Sequence, residues 1–391
     1  MTTALYPLTF QTLIRAYGYG DRRIAEHFQR DLPPGIVAET WELSDHPSNP
    51  GVVSNGPLAG RTLHGLIEEL GPALVGTEIA RTADGRFPLL LKFLDVARYL
   101  GVQIHPDDGF CAEAGFSDSG KSEAWHIVWA EPGATAYWGL KPGVTKADVA
   151  AAIDRLPPLE ATPPGVLMTR AEVDATLASH PVLALMRPVP VQAGDTLYVP
   201  PGWIHACGPG VLIFEVQQNS DVTMAPQRLF ASGRTTGDRT LSQAKEMFLA
   251  QLVADDVPAG QGPIPPLSVG EGANERRYLL ASRYFVLEEW RVREPWAVLP
   301  HPDKFVALTT LEGQGTIEHS SRHEVYRPGC TIMIPASMGP YRLVPRQPSR
   351  LLRSYVGDLQ ADIIAPLRSV GFPDAAIAAL GGPAVANDLL I

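Results

Sequence analysis

Gly101-Val102-Gln103-Ile104-His105-Pro106-Asp107-Asp108, followed by Lys121-Ser122-Glu123-Ala124-Trp125, is the stretch on which the fold turns. Gln103 and His105 lie two apart in a segment patterned as a strand, Val102 to His105, and so share one face. Glu123 opens a second strand-like run, Glu123 to Trp129, after a polar connection with Gly109, Gly115 and Gly120 that predicts a hairpin. Further on, Pro200-Pro201-Gly202-Trp203-Ile204-His205 sets another imidazole behind a turn whose glycine and prolines aim it. An amide, a carboxylate and two imidazoles converging from separate strands form a mixed nitrogen and oxygen donor set for a divalent metal. The plain alternative for Gln103 and His105 is a solvated strand end, because polar pairs two apart are common on half-exposed strands.

Strand patterns flank this stretch on both sides. Ala38 to Ser44 alternates, Leu89 to Val96 is a near-continuous apolar run, and Thr196 to Val199, Val211 to Gln218 and much of 278–357 follow the same habit. Helical spacing occurs at Leu63 to Leu74, Lys146 to Leu156, Arg170 to His180 and Ser242 to Val253. The 36 glycines and 37 prolines are scattered between short apolar runs, which favours many turns and strands over long helices. Gly194-Asp195-Thr196-Leu197-Tyr198-Val199-Pro200 matches Gly329-Cys330-Thr331-Ile332-Met333-Ile334-Pro335, and in the second copy the place of His205 falls on Pro340. Two related β-barrels follow, one with a metal site and one without. The expected division is a metal-binding domain over 1–257 with a helical insertion at about 140–190, a Gly/Pro-rich linker at 258–272, and a metal-free domain over 273–391.

At 391 residues and 45% hydrophobic composition, the chain has ample material for a sizeable core. A net charge of −10 with dispersed basic residues argues against nucleic acid or an anionic membrane as partner. Cys111, Cys207 and Cys330 are far apart and odd in number, which argues against a disulfide scaffold and for a reducing compartment. The first residues show no basic region followed by an apolar core, and no apolar run approaches a membrane span. The expected setting is cytoplasmic; oligomeric state is open.

The run Phe87 to Asp95, then Val102-Gln103-Ile104-His105-Pro106-Asp107-Asp108, then Gly120-Lys121-Ser122-Glu123-Ala124-Trp125, closely resembles the type I mannose-6-phosphate isomerases of the cupin superfamily. Glu39-Thr40-Trp41-Glu42-Leu43-Ser44, the block Pro200 to Ala206, and Glu215-Val216-Gln217-Gln218-Asn219-Ser220-Asp221 resemble the same family in the same order. The resemblance implies a mainly β protein of two cupin-type jelly-roll barrels with a small helical insertion. It implies Zn2+ as cofactor, held by Gln103, His105, Glu123 and His205. It further implies Lys121, Glu215 and Asp221 as catalytic groups, with Lys92, Trp41 and Arg228 binding a sugar or sugar phosphate.

Two positions depart from the family. An arginine usually stands four residues after the aspartate of the Ser-Asp block; here that place is Ala225, with Arg228 three residues beyond. Alanine cannot make the bidentate, charge-assisted bonds with which arginine grips a phosphate. The family's N-terminal Trp-Gly pair is changed to Tyr17-Gly18. Aldose–ketose isomerisation moves a proton between neighbouring carbons through an enediol, which calls for a cation near the oxygens and a base near the carbons. Lys121 and Glu215 suit the proton transfer, with Asp221 as an orienting partner or alternative base. Ala225 leaves two other readings open: a metal enzyme of different chemistry on a non-phosphorylated sugar, and a non-catalytic sugar sensor.

Overall fold

The computed structural model describes residues 5–77, 85–157, 169–226, 228–231, 234–235, 241–254, 262–320 and 322–390, with only the backbone described for 228–231, 234–235 and Leu241. The chain is mainly β. One six-stranded sheet runs Leu13–Arg15, Glu39–Leu43, Leu89–Val96, Val211–Gln218, Glu123–Ala130, Thr196–Val199. A four-stranded sheet faces it, in the order Leu100–Gln103, His205–Cys207, Thr135–Leu140, Met186–Pro190. Between them Leu94, Trp125, Ile127, Leu197, Val211 and Ile213 of the larger sheet pack on Ala136, Trp138 and Val189 of the smaller. Leu89–Val96 is buried along its whole length, which is why its sequence is apolar on both faces and why Lys92 and Asp95 stand out in it.

The second half repeats this plan. Its large sheet runs Leu267–Glu271, Asn274–Ala281, Val286–Val292, Ser349–Tyr355, Val306–Glu312, Thr331–Ile334, with Leu8–Thr9 added at the edge. Its smaller sheet runs Trp296–Val298, Tyr341–Pro345, Gly315–His319, Arg322–Tyr326. If strands are counted from Leu89–Val96 in one half and Val286–Val292 in the other, both large sheets include the order first, eighth, third, sixth. Both small sheets have the order second, seventh, fourth, fifth. That is the antiparallel order of a jelly roll, present twice.

Several local expectations hold. Helices occupy Lys146–Ile153 and Arg170–Ser179, each opened by a threonine capping box: Thr145 with Asp148 and Thr169 with Glu172. A helix also spans Leu241–Gln251. Elsewhere the structure corrects the sequence. The connection from 104 to 122 is not a hairpin, because the strands at its two ends belong to different sheets. It contains a short helix, Asp108–Glu113, whose N-terminus is capped by the Asp107 side chain accepting from the Phe110 N–H. The first strand ends at Gln103, and His105 lies just beyond an isolated bridge between Ile104 and Met224. The 140–190 region includes the strand Met186–Pro190, and short helices at Arg23–Phe28, Ala365–Ser369 and Asp374–Ala379 gave no clear periodic signal. Leu267–Glu271, at the end of the expected linker, is paired with Asn274–Tyr278, and 255–261 lie outside the described residues.

The turn before His205 is fixed by Gly202. Its φ is +75°, its N–H donates to the His105 carbonyl at 2.7 Å, and its own carbonyl accepts from Val253 at 2.9 Å. A Cβ here would lie 2.3 Å from the Gln251 carbonyl oxygen. Gly202→Ala is therefore expected to cost at least about 2 kcal/mol in urea unfolding. An unchanged midpoint would show that this turn is not under the constraint described.

Candidate active site

Three side chains converge in the dry interior of the first jelly roll. His105, Glu123 and His205 are buried, and their candidate donor atoms lie within 4.8 Å of one another. The Glu123 carboxylate has one oxygen 3.3 Å from His105 Nε2 and the other 3.3 Å from His205 Nε2. Neither Nε2 has a hydrogen-bond donor facing it, and the nearest cation to the carboxylate is Lys121, 2.7 Å from one oxygen. The reason lies in the outer ring nitrogens. His105 Nδ1 is 2.8 Å from the Val222 carbonyl and His205 Nδ1 is 2.8 Å from the Trp203 carbonyl. A carbonyl only accepts, so each Nδ1 carries the proton and each Nε2 turns a lone pair inward. Two imidazole lone pairs facing a carboxylate repel one another unless a cation sits between them. The donor set therefore fits a divalent metal.

Burial keeps both imidazoles neutral, with His105 pushed down to about 3 and His205 also lowered. Burial works to raise the Glu123 carboxyl. The Lys121 ammonium, 2.7 Å away, outweighs it and holds the group well below the usual carboxylate range. Gln103 is the direct strand partner of His205, which puts both on one face of the smaller sheet.

Beside this cluster runs a buried chain of alternating charge. Lys121 Nζ lies 2.7 Å from Glu123 and 3.5 Å from Glu215. Lys92 Nζ lies 3.1 Å from Glu215 and 3.6 Å from Glu39. Trp125 Nε1 donates to Glu215 at 3.0 Å and Trp41 Nε1 donates to Glu39 at 2.8 Å, while the Tyr19 hydroxyl also donates to Glu39. Burial and the neighbouring Glu123 carboxylate push Glu215 up to about 7, against the lowering pull of the two lysines. Burial works to lower Lys92, but Glu215 and Glu39 outweigh it and raise its pKa. Asp221 is raised by burial, with Lys92 pulling the other way. Four carboxylates, Glu39, Glu123, Glu215 and Asp221, thus face two ammonium groups, Lys92 and Lys121.

All four expected metal-binding positions and Lys121, Glu215, Asp221 and Lys92 lie on elements of this one jelly roll. Trp41 is buried and bound to Glu39, and the Arg15 guanidinium lies over its ring at 4.7 Å. Arg228 is the backbone partner of Ala225 in a tight hairpin, and its side chain lies outside the described residues. His126 is buried, with its Nδ1 3.0 Å from Thr196 Oγ1. Sequence reasoning gave no role to Glu39, Tyr19, Arg15 or the buried pair His46–Asp118, whose His46 Nε2 is 3.2 Å from Asp118. Glu39 had a visible signal: a carboxylate one residue from the apolar face of an alternating strand.

The sequence profile of the phosphomannose isomerase type I catalytic domain matches residues 5–120. The mannose-6-phosphate isomerase ManA of Bacillus subtilis is 28% identical over 348 residues, 88% of this chain and 96% of its own length. Residues 5–120 thus match the type I phosphomannose isomerase catalytic domain, and most of the chain is similar to mannose-6-phosphate isomerases. The mannose-6-phosphate isomerase of Streptococcus mutans is a similar relative, 27% identical over 340 residues, 84% of this chain and 92% of its own. The crystal structure of a mannose 6-phosphate isomerase from Bacillus subtilis superposes with a TM-score of 0.71 at 23% identity, covering 90% of this chain and 99% of that one. This phosphomannose isomerase fold therefore extends across both jelly rolls, well beyond the profile's match.

Replacing Glu123 or His205 with alanine removes a donor from a set with no spare. Glu123→Ala and His205→Ala are each expected to abolish retention of a divalent metal through dialysis, read by elemental analysis. Full occupancy in either variant would contradict the donor assignment. Lys92→Met leaves Glu39 and Glu215 buried without their shared cation and should cost about 3–5 kcal/mol in urea unfolding. A loss below about 1 kcal/mol would show that Lys92 is not the counter-charge of this chain.

Proposed function

We propose that this protein is a zinc-dependent isomerase that interconverts mannose 6-phosphate and fructose 6-phosphate, or a closely related aldose–ketose pair, through an enediol. The observation that carries the reading is the inward-facing donor set of His105, Glu123 and His205 next to the Lys121–Glu215–Lys92 chain. Two imidazoles, a carboxylate and the amide of Gln103 suit zinc among the common divalent metals. When bound, such an ion supplies Lewis-acid stabilisation of negative charge on the sugar oxygens.

The chain's own groups account for the proton. Glu215, held near neutrality, can take a proton from the carbon beside the carbonyl and still return it, as a general base and then acid must. Lys121, between Glu215 and Glu123, is placed to steady the charge that appears on Glu215 and to hydrogen-bond a sugar oxygen. Lys92 holds Glu215 from the other side. Asp221 adjoins Val222, whose carbonyl orients His105, and so lies at the sugar's side of the site. The buried walls of Trp41 and Trp125 keep water from the proton in transit.

Recognition of a phosphate is the less conventional part. With Ala225 in the usual arginine's place, Arg228 and Arg15 are the cations proposed for it. Arg15 stands at the sheet edge over Trp41, opposite Glu39 in the strand pairing. We also read residues 1–257 as the catalytic unit and 273–391 as its metal-free companion. Three free cysteines suit a reducing cytoplasmic setting.

The test is turnover of mannose 6-phosphate and free mannose, side by side, by wild type, Ala225→Arg and Arg15→Met. Wild type should prefer the phosphorylated sugar, and Arg15→Met should raise its KM about tenfold with little change for mannose. If Ala225 has removed a phosphate clamp, Ala225→Arg should sharpen the preference for the phosphorylated sugar. Turnover of neither sugar by metal-loaded wild type would contradict the isomerase reading. Turnover of mannose alone would move the substrate to a non-phosphorylated sugar.

A further inference from the structure

The repeated strand order lets each position of the first site be carried onto the second jelly roll by register. Glu123 faces Val199, and Val306 faces Ile334, the residue matched to Val199 by the internal repeat, so Glu123 corresponds to Val306. Two residues on, Trp125 faces Glu215, which faces Lys92. Leu308 likewise faces Arg353, which faces Glu288. One strand further out, Trp41 faces Lys92 and Tyr278 faces Glu288, so Glu39 corresponds to Arg276. The triad Glu39–Lys92–Glu215 is thus replaced by Arg276–Glu288–Arg353. Every charge is reversed.

The reversed triad is assembled as tightly as the first. Arg353 donates to Glu288 at 2.9 Å, and Arg276 Nε lies 3.9 Å from its other oxygen. Glu288 also accepts from Trp290 Nε1 at 2.7 Å and the Tyr355 hydroxyl at 2.8 Å, and is 1% exposed. Yet the set is not closed. The Tyr341 hydroxyl, in a side chain only 4% exposed, has no hydrogen-bond partner, and neither do Arg276 Nε and Arg353 Nε. The Arg276 and Arg353 side chains keep 29% and 16% of their exposure, while their Nε atoms and the Tyr341 hydroxyl are themselves buried. Two guanidiniums share one fully buried carboxylate. The other acid near them, Glu271, is 3.2 Å from Arg276 but 40% exposed and solvated, and Lys304 is closed off by its pair with Asp362.

We propose that the second jelly roll binds a small oxyanion, a carboxylate or a phosphate, between Arg276, Arg353 and Tyr341. The first interior is short of positive charge and takes a cation. The second has lost the metal donors, with Val306 and Pro340 at the places of Glu123 and His205, and carries guanidinium donors with unused N–H groups instead. Planar arginines with free N–H groups and a buried hydroxyl are the recognition chemistry of an oxyanion. This site is independent of the isomerase reading.

The test is isothermal titration of the full chain at low salt, with inorganic phosphate in one arm and malonate in the other. Wild type should bind at least one of them, and the arm that binds identifies the anion's class. Arg276→Gln should weaken that binding about tenfold, while Glu288 keeps Arg353, Trp290 and Tyr355 as partners. Tyr341→Phe removes only the unpaired hydroxyl and should weaken binding several-fold without lowering Tm. No binding of either anion up to about 10 mM, or an affinity unchanged in both Arg276→Gln and Tyr341→Phe, would overturn the proposal.

Discussion

Glu123 is buried with two imidazole lone pairs turned toward it, an arrangement that favours a cation among the three side chains. The neighbouring groups conform to this constraint. Val222 and Trp203 spend their carbonyls on fixing the two ring tautomers. Gly202 ties the His205 turn to the His105 backbone, so the two ligand-bearing segments are held by one hydrogen bond as well as by the sheet. Lys121, Glu215, Lys92 and Glu39 extend outward as alternating charges, each worth keeping buried only because the next is there. Removing water strengthens every one of these contacts, which is the condition a proton-transfer site needs.

The same backbone plan carries the opposite charge pattern in the second half. Where Lys92 lies between two glutamates, Glu288 lies between two arginines. A jelly roll evidently tolerates either solution, because its two facing sheets define the geometry and the side chains need only be mutually neutralised. Only one half keeps a turn that delivers histidine. At the corresponding place in the other, Pro340 precedes the strand Tyr341–Pro345 and offers no metal donor.

Much of this was legible in the sequence because the site sits on strands. Apolar strand-like runs marked Leu89–Val96, Glu123–Ala130 and Val211–Gln218, and a charged residue inside a buried strand, such as Lys92, is hard to mistake. Helical spacing likewise marked the helices Lys146–Ile153 and Arg170–Ser179. What sequence could not show was depth and connection. The helix Asp108–Glu113 is a single capped turn and a half in a polar segment, too short to display a period. Glu39 reads as an ordinary half-exposed strand acid until the third dimension sets it against Lys92. The reversed triad of the second half was invisible for the same reason, since Arg276, Glu288 and Arg353 lie on strands separated by long stretches of chain.

The most direct test is to strip the protein of metal and restore zinc in measured steps while following conversion of mannose 6-phosphate. The account predicts negligible turnover without metal and a linear rise that stops at one zinc per chain. Full turnover by the stripped protein, or none once one zinc is bound, would contradict it.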